Sequence, residues 1–162
     1  MKAITLIERH VHLTPDSGVT HCRNPFFVPD EAVWWPCTLI GVKIDRLGMK
    51  IAQKFSRRYY SEVVTAVHPS PRPSDNDFEW MRDGALIISD TAPRENIDEN
   101  LLNIFDSFIS HVSRYMTLKT GDMIFMPAPV TESPTAIPLT QGMNLSVPDI
   151  PDGFPVFTLK VR

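Results

Sequence analysis

The sequence has little cysteine, no long apolar run and no excess of positive charge, and each of these deficits excludes a class of protein. Its two cysteines, Cys22 and Cys37, lack the CxxC spacing of a zinc knuckle and are too few for a disulfide framework. No apolar stretch approaches the roughly 18 residues of a membrane-spanning helix, and the N-terminal apolar run is too short for a signal-peptide core. Sixteen basic and nineteen acidic side chains give a net charge of −3, which argues against a nucleic-acid partner. These features predict a cytoplasmic protein with reduced thiols.

Proline is abundant: 15 of the 162 residues are proline, and several of them cluster between residues 127 and 162. Because proline is excluded from helix interiors and central strands, the C-terminal segment is predicted to form short edge strands and turns. The stretch HPSPRPSDND at 68–77 is predicted to be a loop for the same reason.

Apolar patterning predicts a single domain over 1–162, α+β in class and dominated by β-structure. A short helix is expected over 49–60 and a short edge strand around Phe26–Val28. The other strands are expected at 2–7, 38–44, 61–67 and 84–89, with one more entered from a tight turn at Gly121.

The longest helix is predicted over 97–116, with Asn96 as its N-cap. Its apolar positions recur at helical spacing, so one face is expected to pack inward. The residues expected to face the core are Leu101, Phe105, Phe108 and Val112, and the same apolar stripe includes Ile104 and Tyr115.

Four segments of the chain resemble, in order, the motifs of the fumarylacetoacetate hydrolase family. They are TPDSGVTHCRNPFFVPD at 14–30, IDRLGMKIAQKFSRRYYSEV at 44–63, DGALII at 83–88 and SRYMTLKTGDMIFMPAP at 113–129. The resemblance implies a mixed, strongly bent β-sheet roll with a few flanking helices, usually paired as a homodimer. It also implies hydrolysis, decarboxylation or isomerisation of 2-oxo or β-dicarbonyl acids chelated by Mg²⁺ or Mn²⁺.

The resemblance places the family's three metal-ligand carboxylates at Cys37, Leu39 and Pro73 of this chain, and none of these residues is acidic. A slip of one residue would place the first two at Pro36 and Thr38, which are not acidic either. Asp75 or Asp77 could substitute for Pro73 only if the loop were re-registered.

Two further family features are altered or missing. The position of the substrate-holding lysine falls on Trp80, with Arg82 close by in the sequence. The N-terminal segment that carries the family's water-activating His/Glu pair has no counterpart in the match. We therefore expect no cofactor, no metal site and loss of catalysis, leaving a dimeric scaffold or a module that binds a small carboxylic acid. The alternative is an active metal-dependent hydrolase or decarboxylase of acylpyruvate-type 2-oxo acids with a re-registered site.

Other residues are candidates for sites of a different kind. Arg72, set between prolines, is a candidate for holding an anion or for a catalytic role. His10 and His12 would share a strand face with Glu8, which is a weak zinc pattern. Isolated histidines such as His68 and His111 are more often structural or solvated than catalytic.

Two further groups have both a structural and a functional interpretation. Cys37 could pair with a histidine as a nucleophile, although a buried thiol is the simpler expectation. Trp34 and Trp35 could line a cleft, or be buried together with Phe27 in a dimer interface.

Overall fold

The computed structural model describes residues 1–29, 32–73, 78–129 and 137–162. Its one α-helix within this part of the chain is α1, Glu99–Val112. Three short 3-10 helices cover Asp16–Gly18, Gln53–Tyr59 and Arg94–Asn96. The strands are β1 Lys2–Ile7, β2 His10–Pro15, β3 Val19–His21, β4 Val33–Ile44, β5 Tyr60–Arg72, β6 Leu86–Ile88, β7 Ala92–Pro93, β8 Met123–Pro127, β9 Asn144–Ser146 and β10 Thr158–Lys160. Within the described residues no helix is long and apolar enough to span a bilayer.

Eight strands form one curled mixed sheet in the order β2-β1-β8-β4-β5-β6-β3, with β7 paired to β5. β1 runs parallel to β8 and β3 parallel to β6, while the other neighbours are antiparallel. β9 and β10 make a separate antiparallel pair. The predicted β-dominated roll with one long helix is therefore confirmed.

The sheet buries apolar side chains on both faces. On one face α1 covers Ile40, Val42 and Val63, and on the other face Leu39 and Val64 pack with Phe125. A third cluster joins Trp34, Phe26 and Val67 to residues from the C-terminal segment. Because β4 contributes to all three clusters, its long strand orders both the core and the candidate site described below.

The prediction of a loop over the whole of 68–77 was wrong for its first half, because β5 continues to Arg72. Pro69 lies opposite Pro36, and Pro71 lies opposite Trp34. On its other side β5 pairs with β6 only at Ala66 and Val67. In an antiparallel ladder each strand hydrogen-bonds to a given neighbour through every second residue. Pro69 and Pro71 are two residues apart, so their backbone nitrogens point to the same side of β5. Their missing N–H groups therefore remove no ladder hydrogen bond, as on an edge strand. The rest of the predicted loop, residues 74–77, lies outside the described residues.

The long helix was predicted in the correct place, but its ends and its stripe differ from the prediction. Asp98 caps the N-terminus instead of Asn96, by accepting a hydrogen bond from the Asn100 backbone N–H at 2.7 Å. Phe105, Phe108 and Val112 are buried as predicted, and Leu101 is partly buried against the same core. Two stripe members were placed wrongly: Ile104 is half exposed and Tyr115, beyond the last helical turn, is largely exposed. Leu102 and Ile109 take buried positions instead, because the inward face is rotated slightly from the predicted stripe and follows Leu102, Phe105, Ile109 and Val112.

Two smaller elements also differ. The helix expected over 49–60 is a 3-10 helix limited to Gln53–Tyr59. Instead of forming a strand with its neighbours, Phe26 makes a single bridge to Val161, and the nearby edge strand is β3.

A buried ion pair fastens α1 to the start of β5. The Arg57 guanidinium donates to Asp106 Oδ2 at 2.7 Å, and the Tyr60 hydroxyl donates to Asp106 Oδ1 at 2.7 Å. Burial and the adjacent carboxylate both raise the pKa of Tyr60, so its hydroxyl stays a donor at neutral pH.

Candidate functional site

The first two positions that the resemblance assigns to metal ligands lie on β4 with their side chains on the same face of the sheet. Leu39 has no solvent exposure and packs in the core with Ala66 and Phe125. Cys37 is partly buried next to the same cluster and lies opposite His68 in the ladder. Burial, reinforced by the charge of Glu79, raises the pKa of the Cys37 thiol, so the sulfur stays protonated at neutral pH.

A buried polar network lies beside Cys37. His68 Nδ1 is 2.7 Å from the Ala85 carbonyl oxygen, and its Nε2 is 3.0 Å from Glu79 Oε1. The Ser70 hydroxyl donates to the same Glu79 oxygen at 2.6 Å. Since a carbonyl can only accept, Nδ1 carries a proton, and one further proton is held between Nε2 and the carboxyl group. Both ring nitrogens are thus engaged, and Cys37 makes no hydrogen bond within the described part of the chain, so no Cys–His nucleophile pair forms there.

Trp80, at the position of the family's lysine, fills the space next to this network. Its indole stacks on the His68 ring at 3.7 Å between centroids and on the His12 ring at 4.9 Å. Trp80 is buried, whereas His12 is partly exposed on β2. An aromatic stack therefore occupies the place where the resemblance puts a cationic substrate-holding group.

The His12–Trp80 contact predicts a specific pH dependence of stability. Partial burial, together with the nearby His10 and His68, lowers the pKa of His12, while Glu79 opposes this. An unfolded chain then binds more protons than the folded chain near the ordinary histidine pKa of about 6.5. The His12 contribution is fully present above that pH and is lost as the pH falls through the lower folded-state value.

We expect the free energy of unfolding to decrease between pH 7 and 5.5, and to decrease less in His12→Gln. Urea titrations at several pH values measure this. His111→Gln is the matched control, because His111 lies on the exposed side of α1 and contacts Tyr115. An equal pH slope in wild type and His12→Gln would contradict the prediction.

An open cleft of about 560 Å³ lies between the sheet and the C-terminal segment. Its walls are residues 35–38 of β4, Ser70 and Arg72 of β5, residues 127–128, and a C-terminal wall of Ile137, 145–146 and 148–149. The Arg72 guanidinium lies 5.0 Å from the centre of the Trp35 ring. Within the described residues Arg72 makes no hydrogen bond or ion pair, so its five donors are available to a ligand.

The structure brings some of the sequence candidates together and separates others. Cys37 and Arg72 share the cleft, Leu39 is in the core, and Pro73 lines a separate hollow with Trp34 and Arg82. Pro36 and Thr38, the positions of the slipped alignment, line the cleft too. Asp75 and Asp77 lie outside the described residues.

Arg82 is committed to structural contacts and does not replace the family's lysine. Its guanidinium lies 4.4 Å from the Trp34 ring centre and donates to the Pro69 carbonyl. Burial lowers its pKa. Trp34 itself is buried against Phe26, so only Trp35 of the tryptophan pair faces the cleft.

The weak zinc pattern of Glu8, His10 and His12 is not assembled. Within the described ranges no group of three His, Cys, Asp or Glu side chains lies close enough together to hold a metal ion. Glu8 lies in the turn between β1 and β2, with a φ of 56°, and His12 is stacked on Trp80.

Sequence reasoning missed Glu79, Ser70 and Asp149 as members of the site. Ser70 falls within the predicted loop at 68–77, although it lies on the same face as His68 once β5 is extended, and no element was predicted around Glu79. One signal in the sequence could have identified Ser70. Pro69 and Pro71 are two residues apart, so both backbone nitrogens can point away from the paired neighbour, and the strand can continue through Ser70. Asp149 has no local signal apart from the prolines around it.

The fold matches solved structures of one family. A protein assigned to the fumarylacetoacetate hydrolase family from Yersinia pestis CO92 aligns with a TM-score of 0.79 at 16% identity, covering 99% of this chain and 92% of that one. Fumarylpyruvate hydrolase from Pseudomonas aeruginosa, solved with Mn²⁺ and pyruvate, aligns with a TM-score of 0.76 at 11% identity, covering 99% and 89%. The 5-carboxymethyl-2-hydroxymuconate delta-isomerase from Mycobacterium smegmatis aligns at 0.76 and 16% identity, covering 99% and 78%.

This chain therefore has the fold of the fumarylacetoacetate hydrolase family, as its sequence motifs predict. At these identities the likeness establishes the fold. No family model matches the sequence, and neither does any curated protein.

The residues at the positions that the resemblance assigns to metal ligands do not fit the metal that it implies. Mg²⁺ and Mn²⁺ prefer several oxygen ligands, and carboxylates above all. Leu39 and Pro73 have no donor atom in their side chains, and Cys37 offers a protonated sulfur. Among the described residues this donor set is unsuited to a hard dication.

Proposed function

We propose that this protein is a non-catalytic member of its fold class that binds a small carboxylic acid through Arg72 without a divalent metal. The observation that carries the proposal is the donor set of the cleft. It is lined by the guanidinium of Arg72, which has no ion-pair partner in the described part of the chain, and by the hydroxyls of Thr38, Ser70 and Ser146, in the region where the resemblance places carboxylates. Guanidinium groups bind carboxylates through two parallel hydrogen bonds, so the cleft attracts an acid directly.

The size and lining of the cleft favour a small ligand with an apolar body. A volume of about 560 Å³ lies within the usual range of about 300–1,000 Å³ for small-molecule sites. Trp35 and Leu145 provide apolar walls, and the Trp35 ring also lies beneath Arg72. An acid whose carboxylate meets Arg72 would therefore place its body against these side chains.

Several features support the loss of the family's chemistry in this proposal. The family's second ligand position is a fully buried leucine, and its lysine position is an indole stacked between two histidines. The one thiol in the cleft, Cys37, is held protonated. Restoring a chelating site would require rebuilding packed core positions and not only surface ones.

The test is calorimetric titration of 3-phenylpropionate into the protein in buffer that contains EDTA. We expect binding that weakens about tenfold in Arg72→Gln, because a charge-assisted hydrogen bond is removed. Arg58→Gln is the matched control, since Arg58 is exposed over Phe55 and away from the cleft. Mg²⁺ and Mn²⁺ are expected to leave the melting temperature unchanged, whereas a metal that binds the native state would raise it.

The contrary outcome is equally specific. If Mn²⁺ raises the melting temperature, or if the protein hydrolyses acylpyruvates or decarboxylates oxaloacetate in a reaction that EDTA abolishes, the non-catalytic proposal is wrong. The protein would then be a metal-dependent enzyme, with Asp75 or Asp77 as the first ligands to substitute.

We also propose that the protein is a homodimer. Phe27 is largely exposed and Trp35 is only partly covered, while Trp34 is already buried within the chain and so does not need a partner. Exposed large apolar side chains favour burial against a second copy. Light scattering at micromolar concentration should give a mass of about twice 18.4 kDa, and a stable single-chain mass would contradict the proposal.

A further inference from the structure

The cleft contains a second charged residue of opposite sign. Asp149, in the segment that follows β9, lines the same cleft as Arg72 of β5. The two side chains make no ion pair with each other, and Asp149 makes no hydrogen bond or ion pair with any other described residue. One cation and one anion therefore line a single, largely apolar cleft, and neither has an ion-pair or hydrogen-bond partner among the described residues.

The backbone around each of these charges is stiffened by proline. Arg72 lies between Pro71 and Pro73, and Asp149 directly follows Pro148, with Pro151 two residues further on. Asp149 has a φ of 60°, in the left-handed region that a side chain rarely adopts. Because proline restricts its own backbone and that of the preceding residue, Pro73 limits the backbone of Arg72, and Pro148 fixes the chain directly before Asp149. Such pre-organisation reduces the entropy that a ligand must overcome on binding.

We infer that the ligand of this cleft is a zwitterion: a small apolar acid that also carries an amino group. This inference rests on the proposed binding of an acid at Arg72 and adds the group that meets Asp149. The carboxylate of the ligand binds Arg72, its ammonium binds Asp149, and its body packs on Trp35. A single carboxylate without further ligands is a poor site for a divalent cation, whereas an ammonium group needs only one.

The experiment compares zwitterions with their singly charged analogues by calorimetric titration at pH 7 in EDTA. One series is phenylalanine, 3-phenylpropionate and 2-phenylethylamine, where both charges are on one carbon. The other is 4-(aminomethyl)cyclohexanecarboxylate, cyclohexanecarboxylate and cyclohexylmethylamine, where the charges are at opposite ends of a ring. We expect the zwitterion of at least one series to bind about tenfold more tightly than either analogue, because it makes both charge-assisted contacts.

Two variants separate the roles of the charges. Asp149→Asn is expected to abolish the advantage of the zwitterion without weakening the binding of the singly charged acid, because removing the carboxylate takes away only a repulsion from that acid. Arg72→Gln is expected to weaken both. Asp152→Asn is the matched control, since Asp152 is exposed three residues further on and lines a different groove. All of these positions are exposed, so the variants should fold, and their melting temperatures check this.

The possible failures are distinguishable. If the singly charged acids bind as tightly as the zwitterions, or if Asp149→Asn leaves the zwitterion advantage intact, the inference is overturned while acid binding at Arg72 stands. If neither the acids nor the zwitterions bind, the proposed function is wrong and the inference is overturned with it.

Discussion

Asp122→Ala is expected to lower the free energy of unfolding by about 3 kcal/mol, because it removes the partner of several buried donors at once. Asp122 is 1% exposed. Its Oδ1 accepts the Lys2 backbone N–H at 3.0 Å, and its Oδ2 accepts the Lys119 backbone N–H at 2.8 Å and the Lys2 ammonium at 2.5 Å. The carboxylate thus ties the first residue of β1 to the turn that begins β8. Without it, two backbone N–H groups lose their acceptor in a region that water does not reach freely.

Urea unfolding followed by far-UV circular dichroism measures this change. Lys2→Met should cost less than Asp122→Ala, because it removes the ammonium but keeps both backbone donors satisfied. Asp152→Ala provides the surface control and should lie within about 0.5 kcal/mol of wild type. If Asp122→Ala were as stable as Asp152→Ala, the anchoring role would be refuted. Asp122 belongs to the MTLKTGD segment, so this part of the family resemblance supports the scaffold and not the site.

Gly41→Ala is the second change with a large expected effect, also about 3 kcal/mol, from overpacking at the centre of the sheet. A Cβ at position 41 would lie 2.5 Å from the Phe125 ring and 2.7 Å from the Ile124 carbonyl oxygen. Gly41 is on β4 between β5 and β8, directly opposite Phe125. The ring covers the glycine as aromatic residues do beside glycines in sheets. The carbonyl oxygen belongs to the paired backbone, which cannot shift without disturbing two ladders.

A double-mutant cycle with Phe125→Ala tests this mechanism. Phe125→Ala is destabilising by itself, since it removes a fully buried aromatic side chain. The double variant should nevertheless be more stable than the sum of the two single costs predicts, because the added methyl then occupies space that the ring has vacated. Strict additivity, or a Gly41→Ala protein within about 1 kcal/mol of wild type, would show that the sheet relaxes around the new methyl group.

Local patterns predicted most of the secondary structure, because alternation and helical spacing reflect which side of an element is buried. The strands at 2–7 and 38–44 and the helix near 97–116 are present, although β4 and β5 extend further than predicted. The errors occur where contacts between distant parts of the chain override a rule based on the local sequence. Pro69 and Pro71 predict the end of a strand, yet β5 continues, because among the described residues no second strand pairs with it beyond Val67. Ile104 was predicted to be buried by its spacing, but the sheet covers only part of the apolar stripe of the helix.

The candidate site was less accessible from sequence than the fold. The lack of carboxylates at Cys37, Leu39 and Pro73 follows from the sequence and the family motifs, and so does the isolation of Arg72 between prolines. The partners of these residues do not. His68 and Glu79 come from different elements, and nothing in the spacing between them indicates that a turn returns the carboxyl group to the histidine ring.

The sequence by itself determined the β-dominated class, the placement of the main helix, the resemblance that led to the fold, and the chemical character of each candidate position. Those properties depend on side-chain type and on local periodicity, which are present in the chain before it folds. Only the tertiary structure decided which residues meet. The register of β4 against β5 places Cys37 opposite His68, and the return of the C-terminal segment brings Asp149 to the cleft of Arg72. Contacts between such distant residues are set by the packing of the whole sheet and of the segments that cover it. Local sequence patterns specify which face of an element is buried, but not which distant segment will cover that face.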